Sequence, residues 1–214
     1  MTTLNYTLVA DGPTDRALLP IINWVLEQIP MVSASGFVAQ FADPHILDDA
    51  AAGLEGRIVA ALQRFPCDIA FVHRDAESEG FEKRRAEIGR AIEHIANGDF
   101  VPVVPVRMTE AWLLTDESPI RQAADNPNGT APLALPPVRQ LEQLPDPKSF
   151  LNDLLIVASE KAGRRQAKFK RPSELAWRRV RVAQLTKDFS PLRSLGAFAE
   201  FERATRAVFP DAQC

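Results

Sequence analysis

Ile69-Ala70-Phe71-Val72-His73-Arg74-Asp75-Ala76-Glu77-Ser78-Glu79-Gly80 is an apolar run that ends in acids. The run reads as a buried strand, and the acids as its delivery at the carboxyl edge of a sheet. In open α/β sheets that edge is where ligands bind. A second stretch, Leu8-Val9-Ala10-Asp11-Gly12-Pro13-Thr14-Asp15, has the same form. Asp75 and Glu77 are two residues apart, so in an extended chain they point the same way. Asp11, arriving from a neighbouring strand, would bring three carboxylates to one site. Like charges at that spacing require a proton, an arginine or lysine, or a cation to offset them. Mg²⁺ is the natural cation, being hard and bound by carboxylate oxygen, with Mn²⁺ as a substitute.

Outward from these two stretches the chain alternates. Asn5 to Ala10 reads as a strand, and a helix capped by Thr14 or Asp15 runs to about Gln28. Val32 to Phe41 is a weaker strand interrupted by Gly36 and serines. Asp48 to Phe65 has Leu54, Ile58, Ala61, Leu62 and Phe65 at helical spacing, and Pro66 ends it. Gly80 to Ala96 is a charged helix closed by Asn97-Gly98. Phe100 to Val106 is a Val-rich strand whose Pro102 and Pro105 favour a sheet edge or an irregular end. Thr109 is expected to cap a further helix. The order β-α-β-α-β-α-β-α predicts a mostly parallel sheet with helices on both faces. Right-handed crossovers would set the ends carrying Asp11 and Asp75 on one edge.

After Asp116 the pattern changes. Residues 126–147 are rich in Pro and read as a long loop. A helix follows over Pro147 to Ser159, with Leu151, Leu154, Leu155 and Ala158 inward, and another over Ala197 to Val208. The division expected is an α/β core over residues 1–116 and a loop-rich, helical C-terminal extension over residues 117–214, packed on that core. Between the last two helices lies a basic stretch: Lys161, Arg164, Arg165, Lys168, Lys170 and Arg171, continued by Arg178, Arg179 and Arg181. Nine cations opposed by Glu174 alone, in a chain of net charge −3, are unusually concentrated. The negative total argues against uniform attraction to nucleic acid but not against one basic face. The first six of these cations are the candidate nucleic-acid-binding residues; a solvated face is the alternative. Phe169 and Trp177 beside them are candidates for stacking on bases or for core packing.

Two cysteines without paired spacing, Cys67 and Cys214, give neither a disulfide framework nor a thiolate metal site. The N-terminal residues lack a signal-peptide pattern, and no apolar run approaches the ~18 residues of a membrane helix. The expected location is cytoplasmic, without a membrane partner, and the oligomeric state is open. No Gly-x-x-x-x-Gly-Lys-Ser/Thr run occurs, so the chain is not a P-loop ATPase.

Asp11-Gly12-Pro13-Thr14-Asp15 and Asp75-Ala76-Glu77-Ser78-Glu79-Gly80 resemble the two acidic motifs of the Toprim fold, in which a Glu-Gly follows the first strand and an Asp-x-Asp follows a later one. Asp11 stands where the family has Glu, and Glu77 where it has the second Asp. Val106-Arg107-Met108-Thr109-Glu110-Ala111-Trp112-Leu113-Leu114, Asp146-Pro147-Lys148 and Ser190-Pro191-Leu192 resemble a group of small, uncharacterised bacterial Toprim-related proteins akin to the overcoming-lysogenization-defect nucleases. The resemblance covers most of the chain. It implies a Toprim-like fold, Mg²⁺ held by Asp11, Asp75 and Glu77, and cleavage of nucleic-acid phosphodiesters. It also implies a role in phage defence beside a partner ATPase. The two replacements leave open a degenerate module that binds nucleic acid or a partner protein without turnover.

Other residues have two readings each. Glu110 is either a further acid of the site or an ordinary acid favoured by a helix N-terminus. Lys148 is a candidate to stabilise transition-state charge. Asp15 reads as a helix cap, Glu79 as solvent-exposed, and His73 as a hydrogen-bonded histidine at the core's edge, on the same side as Asp75. Arg74 points the other way. His45, in the turn after Asp43-Pro44, is a more distant candidate. A phosphotransfer enzyme of the receiver or haloacid-dehalogenase type also uses acids at strand ends, but the second of these expects an Asp-x-Asp after the first strand, which is absent here.

Overall fold

Leu4–Val9 (β1) and Ile69–His73 (β3) lie side by side and parallel at the middle of the sheet, with Leu8 opposite Phe71 and Val9 opposite Val72. The structure is a computed structural model and describes residues 3–47, 53–95 and 98–209. Phe37–Ala42 (β2) pairs with the outer side of β1, and Asp99–Val103 (β4) with the outer side of β3. Among the described residues the sheet is four-stranded and all parallel, in the order β2-β1-β3-β4. The chain therefore moves outward from β1 to β2, returns across β1 to β3, and continues to β4. The direction reverses between β1 and β3, which makes the crevice beyond their carboxyl ends the topological switch point of the sheet. Both acidic stretches open onto that crevice.

Alternating strand residues serve two cores, as the pleat requires. Tyr6, Leu8, Phe71, Val101 and Val103 pack on one face, against Leu18–Glu27 (α1) and Gly196–Ala207 (α9). Val9 and Val72 point to the other face. There they meet Ile58 and Ala61 of Gly53–Arg64 (α3) and Ile88 and Ala91 of Phe81–Ile92 (α4). Pro102 lies on β4, an edge strand, where a missing N–H is tolerated.

Several boundaries differ from the sequence reading for identifiable reasons. The first part of the expected Val32–Phe41 strand is a helix, Pro30–Ser35 (α2), opened by Pro30 and ended by Gly36 in a left-handed conformation (φ 73°). The strand starts only afterwards. The segment Thr109–Leu113 is a single 3-10 turn, and Thr109 lies inside it rather than capping it. The loop after Asn126 contains a 3-10 turn at Val138–Gln143. The start of the helix expected from Asp48, the Asn97 stop signal and Cys214 lie outside the described residues.

Beyond residue 116 come Glu117–Ala123 (α5), Pro147–Ser159 (α6), Gly163–Phe169 (α7) and Pro172–Leu185 (α8). Asp146 caps α6 by accepting from Ser149 N at 2.8 Å, Pro147 fills its first position, and Glu160 ends it in a left-handed conformation. The C-terminal helices share the core of the sheet. Phe198 and Phe201 of α9 pack on Trp112 with ring centroids 5.3 and 5.9 Å away, and Phe201 also meets Phe71 of β3. No helix among the described residues is long and apolar enough to cross a membrane.

Candidate active site at the carboxyl edge of the sheet

The turn after β1 places two carboxylates differently. Asp15 folds back, its Oδ2 accepting from Asp11 N and Gly12 N, each at 2.8 Å, and it is buried. It caps the Pro13–Ala17 3-10 turn from within. Asp11 instead points to α3 and β3, paired with Arg57 and, 3.3 Å away, with Nε of Arg74.

Past β3 the chain runs along residues 103–107. Arg74, Ala76 and Glu77 donate their N–H groups to the carbonyls of Val103, Pro105 and Arg107. Glu77 (φ 46°) and Arg107 (φ 67°) face each other across this ladder in left-handed conformations. Each costs of order 1 kcal/mol, a strain characteristic of functional sites. Gly80 (φ 89°) then releases the chain into α4. The left-handed turn at Glu77 corrects the extended-chain argument, since Asp75 and Glu77 are not in register along a strand. Glu77 nonetheless lines the same cleft as Asp75, with its side chain mostly in solvent and 3.9 Å from Arg84.

The far wall comes from the 3-10 turn after β4 and from the C-terminal helices. Thr109 donates its N–H (2.9 Å) and its hydroxyl (3.3 Å) to Asp75 Oδ1, fixing that carboxylate. Asp75 Oδ2 and Asp15 Oδ1 take no protein donor among the described residues. Glu110 lies 2.8 Å from Nε of Arg179 on α8, with side chains only 10% and 6% exposed; the Nε–H is not aimed at the oxygen, so the contact is an ion pair. Arg179 Nη1 donates to Asn152 Oδ1 at 2.9 Å. Lys148, in the first turn of α6, completes the rim. The cleft these groups enclose has a volume of about 90 Å³ and is lined by Thr14, Asp15, Asp75, Glu77, Glu110 and Lys148, among others. That is room for an ion with a few waters.

His73 is the hub beneath the cleft. Its Nδ1 lies 2.9 Å from the Val103 carbonyl, so that nitrogen carries a proton, and its Nε2 lies 3.5 Å from Asp75 Oδ1 and 3.7 Å from Asp15 Oδ2. Burial alone pushes the imidazole down, but Asp15, Asp75 and Asp11 outweigh it and hold the ring above its ordinary value. Desolvation pushes the Asp75 carboxyl up to about 6, helped by Asp15 and Glu110 and opposed by His73 and the Thr109 N–H. Both shifts run toward the protonated form, the direction expected where several carboxylates crowd one buried imidazole.

The structure thus brings together Asp75, Glu77, Glu110 and Lys148 of the expected set and holds Asp11 off the cleft between two arginines. Asp15, read from the sequence as a cap, is both a cap and a wall of the site. Thr109 and Arg179 were not singled out for the cleft. Thr109 carried the local signal of standing next to Glu110, whereas Arg179 is far away in sequence and only tertiary packing brings it in. His45 lies in a 3-10 turn beyond β2 and does not line the cleft. Among the described residues no group of three His, Cys, Asp or Glu side chains forms a ready-made cation cage.

The basic stretch divides. Arg178 and Arg179 are buried and neutralised, Arg178 by Asp125 at 2.8 Å and Glu174 at 3.7 Å. Arg164, Arg165, Lys168, Lys170 and Arg171 are exposed, and Lys161 is half-buried, donating to the Ala124 carbonyl at 3.0 Å. Phe169 is buried, and Trp177 is exposed. No family model matches the chain, and comparison with curated proteins and with solved structures finds no match.

Proposed function

We propose that this chain is a Toprim-type, divalent-metal-dependent enzyme acting on nucleic-acid phosphodiesters. The observation that carries the reading is the pair of half-satisfied carboxylates, Asp75 and Asp15, at the switch point of a parallel sheet, with a lysine on the rim of the same small cleft. Their free oxygens suit Mg²⁺, which keeps several of its waters and is held by one or two carboxylates together with substrate phosphate, so a three-acid cage is not required. Asp75 and Asp15 are the holding residues, with Glu77 within reach from the turn. A bound divalent ion supplies charge neutralisation at a phosphoryl oxygen and a more acidic water. The chain's own groups do the rest. Thr109 fixes Asp75, His73 orients both carboxylates from below, and Lys148 stabilises negative charge developing at the rim. Glu110, tied to Arg179, shapes the far wall.

The second reading, a module that binds nucleic acid or a partner ATPase without turnover, has its own support. Asp11 and Glu110 already have arginine partners, which removes two acids from any metal set. Cleavage assays separate the two. The purified protein, with a neighbouring ATPase supplied where one is encoded, is expected to cut DNA or RNA in Mg²⁺ or Mn²⁺ and to stop in chelator. Asp75→Asn is expected to lower the rate at least about 100-fold, since metal assistance contributes several kcal/mol. No cleavage with either metal would leave the binding reading standing. Cleavage untouched by Asp75→Asn would place the chemistry elsewhere.

A further inference from the structure

Cations without a carboxylate partner are scattered along the described residues, and five of them cluster in one exposed region, whereas eight arginines elsewhere are paired. Arg57, Arg74, Arg84, Arg85, Arg121, Arg193, Arg203 and Arg206 each meet a carboxylate. On α7 and the start of α8, Arg164, Arg165, Lys168, Lys170 and Arg171 have no ion-pair partner among the described residues, and all five are exposed. Arg165 and Lys168 line a cleft of about 210 Å³ with Lys161, Phe169, Glu174 and Arg178. Its floor is the buried Phe169 ring, with Lys161 Nζ 4.8 Å and the Arg178 guanidinium 4.2 Å from the ring centroid. Glu174 is the acid in that cleft, and it is spent on Arg178 together with Asp125.

Arg178 also connects the cleft to an aromatic. Its guanidinium lies 5.5 Å from the centroid of Trp177, and Arg181, one helical turn on, lies 5.3 Å from the same ring. Trp177 is 52% exposed, an unusual condition for the largest apolar side chain, and one that burial in a core does not explain. A cationic strip that leads to an exposed indole with two arginines near its ring is an arrangement suited to unpaired bases. The strip follows the backbone phosphates and the ring offers a face to a base. A duplex keeps its base faces stacked on one another and can use the strip but not the ring.

We propose that α7 and α8 form a binding site for single-stranded nucleic acid, in which Trp177 stacks on a base and Arg165 and Lys168 hold the adjoining phosphates. The site is separate from the acidic cleft, and α8 spans both, with Arg178 lining one and Arg179 the other. This inference rests on the reading of the protein as one that acts on nucleic acid, and it narrows the substrate class to single strands.

Tryptophan fluorescence tests it directly. Trp112 is fully buried and Trp24 is half-buried beneath Arg193, so a ligand that stacks on an indole reports mainly through Trp177. The full chain is titrated with a short oligothymidylate and with a hairpin duplex of equal charge, in chelator, so that binding is read without cleavage. The oligothymidylate is expected to quench the emission and to bind more tightly than the hairpin. Trp177→Ala should abolish most of the quench and weaken binding, read by anisotropy of a labelled oligonucleotide, about tenfold or more, with Trp177→Phe recovering much of the affinity. Arg165→Ala with Lys168→Ala should flatten the dependence of log affinity on log salt by roughly 0.7 for each lost contact. Equal binding of hairpin and single strand with Trp177→Ala unaffected would overturn the inference while sparing the nucleic-acid reading. No binding of either would overturn both. Binding as stated in a protein that never cleaves would sustain the inference and remove the catalytic reading alone.

Discussion

Asp75 concentrates the electrostatic argument in one carboxyl group. In the unfolded chain it ionises near 3.8, and in the folded protein only near 6. Between those values the folded state holds a proton that the unfolded state has lost, so this group's contribution to stability falls as pH rises from about 4 to 6. His73, held above 6.5, works in the same direction over a higher window: its stabilising share is full below 6.5 and is lost as pH climbs through its raised value. Asp75→Asn removes the first effect. Without metal, thermal melts should show the variant gaining about 1–3 kcal/mol over the wild type above pH 6 and little below pH 4. An equal difference at both pH values would mean that Asp75 is not held protonated by its surroundings. Sequence was a fair guide to this group, because an apolar run ending in Asp marks a strand end. It was a poor guide to the neighbours. Asp11 and Asp15 are the same residue type four positions apart, and the two arginines that claim Asp11 come from α3 and from the residue just past β3. Asp15 reaches the cleft only because its turn folds back on the N–H groups of residues 11 and 12.

At the scale of elements, β1, β3, β4 and α6 were legible because each is an apolar period bounded by a clear stop: Asp11-Gly12-Pro13, Pro66, the prolines around residue 105, and Pro147. α2 was not, since Pro30 and Gly36 bound a segment too short to show a period. The turn at Glu77 was invisible for a different reason, because a left-handed non-glycine residue leaves no mark in composition. The Glu110-Ala111-Trp112 run has two roles that its spacing did not separate. Glu110 faces the cleft, and Trp112 enters the core against α9. That packing couples the C-terminal helices to the sheet. Phe198 meets both Trp112 and Trp24 and is fully buried. Phe198→Ala should therefore cost about 3–5 kcal/mol in chemical denaturation and shift one cooperative transition. A variant that loses only a partial, early transition would show that α9 folds apart from the sheet.

Across the whole molecule, sheet order decides where the chemistry sits. Had the strands run β1-β2-β3-β4 in space, the two acidic turns would have been separated by β2 and no shared cleft would exist. The observed order sets them at the one crevice where parallel strands diverge, and the helices after residue 116 close it with Lys148 and Arg179. Acids gather at this edge and five exposed cations cluster on α7 and at the start of α8, the division that the proposed function draws on. Whether the acidic edge holds a divalent ion, as proposed, is read from anomalous diffraction by a crystal soaked in Mn²⁺. The expected result is an anomalous peak in the cleft with an Asp75 oxygen at about 2 Å, an Asp15 or Glu77 oxygen beside it, and no such peak in Asp75→Asn. A wild-type crystal with the cleft empty at saturating Mn²⁺, or with the ion bound away from Asp75, would contradict it.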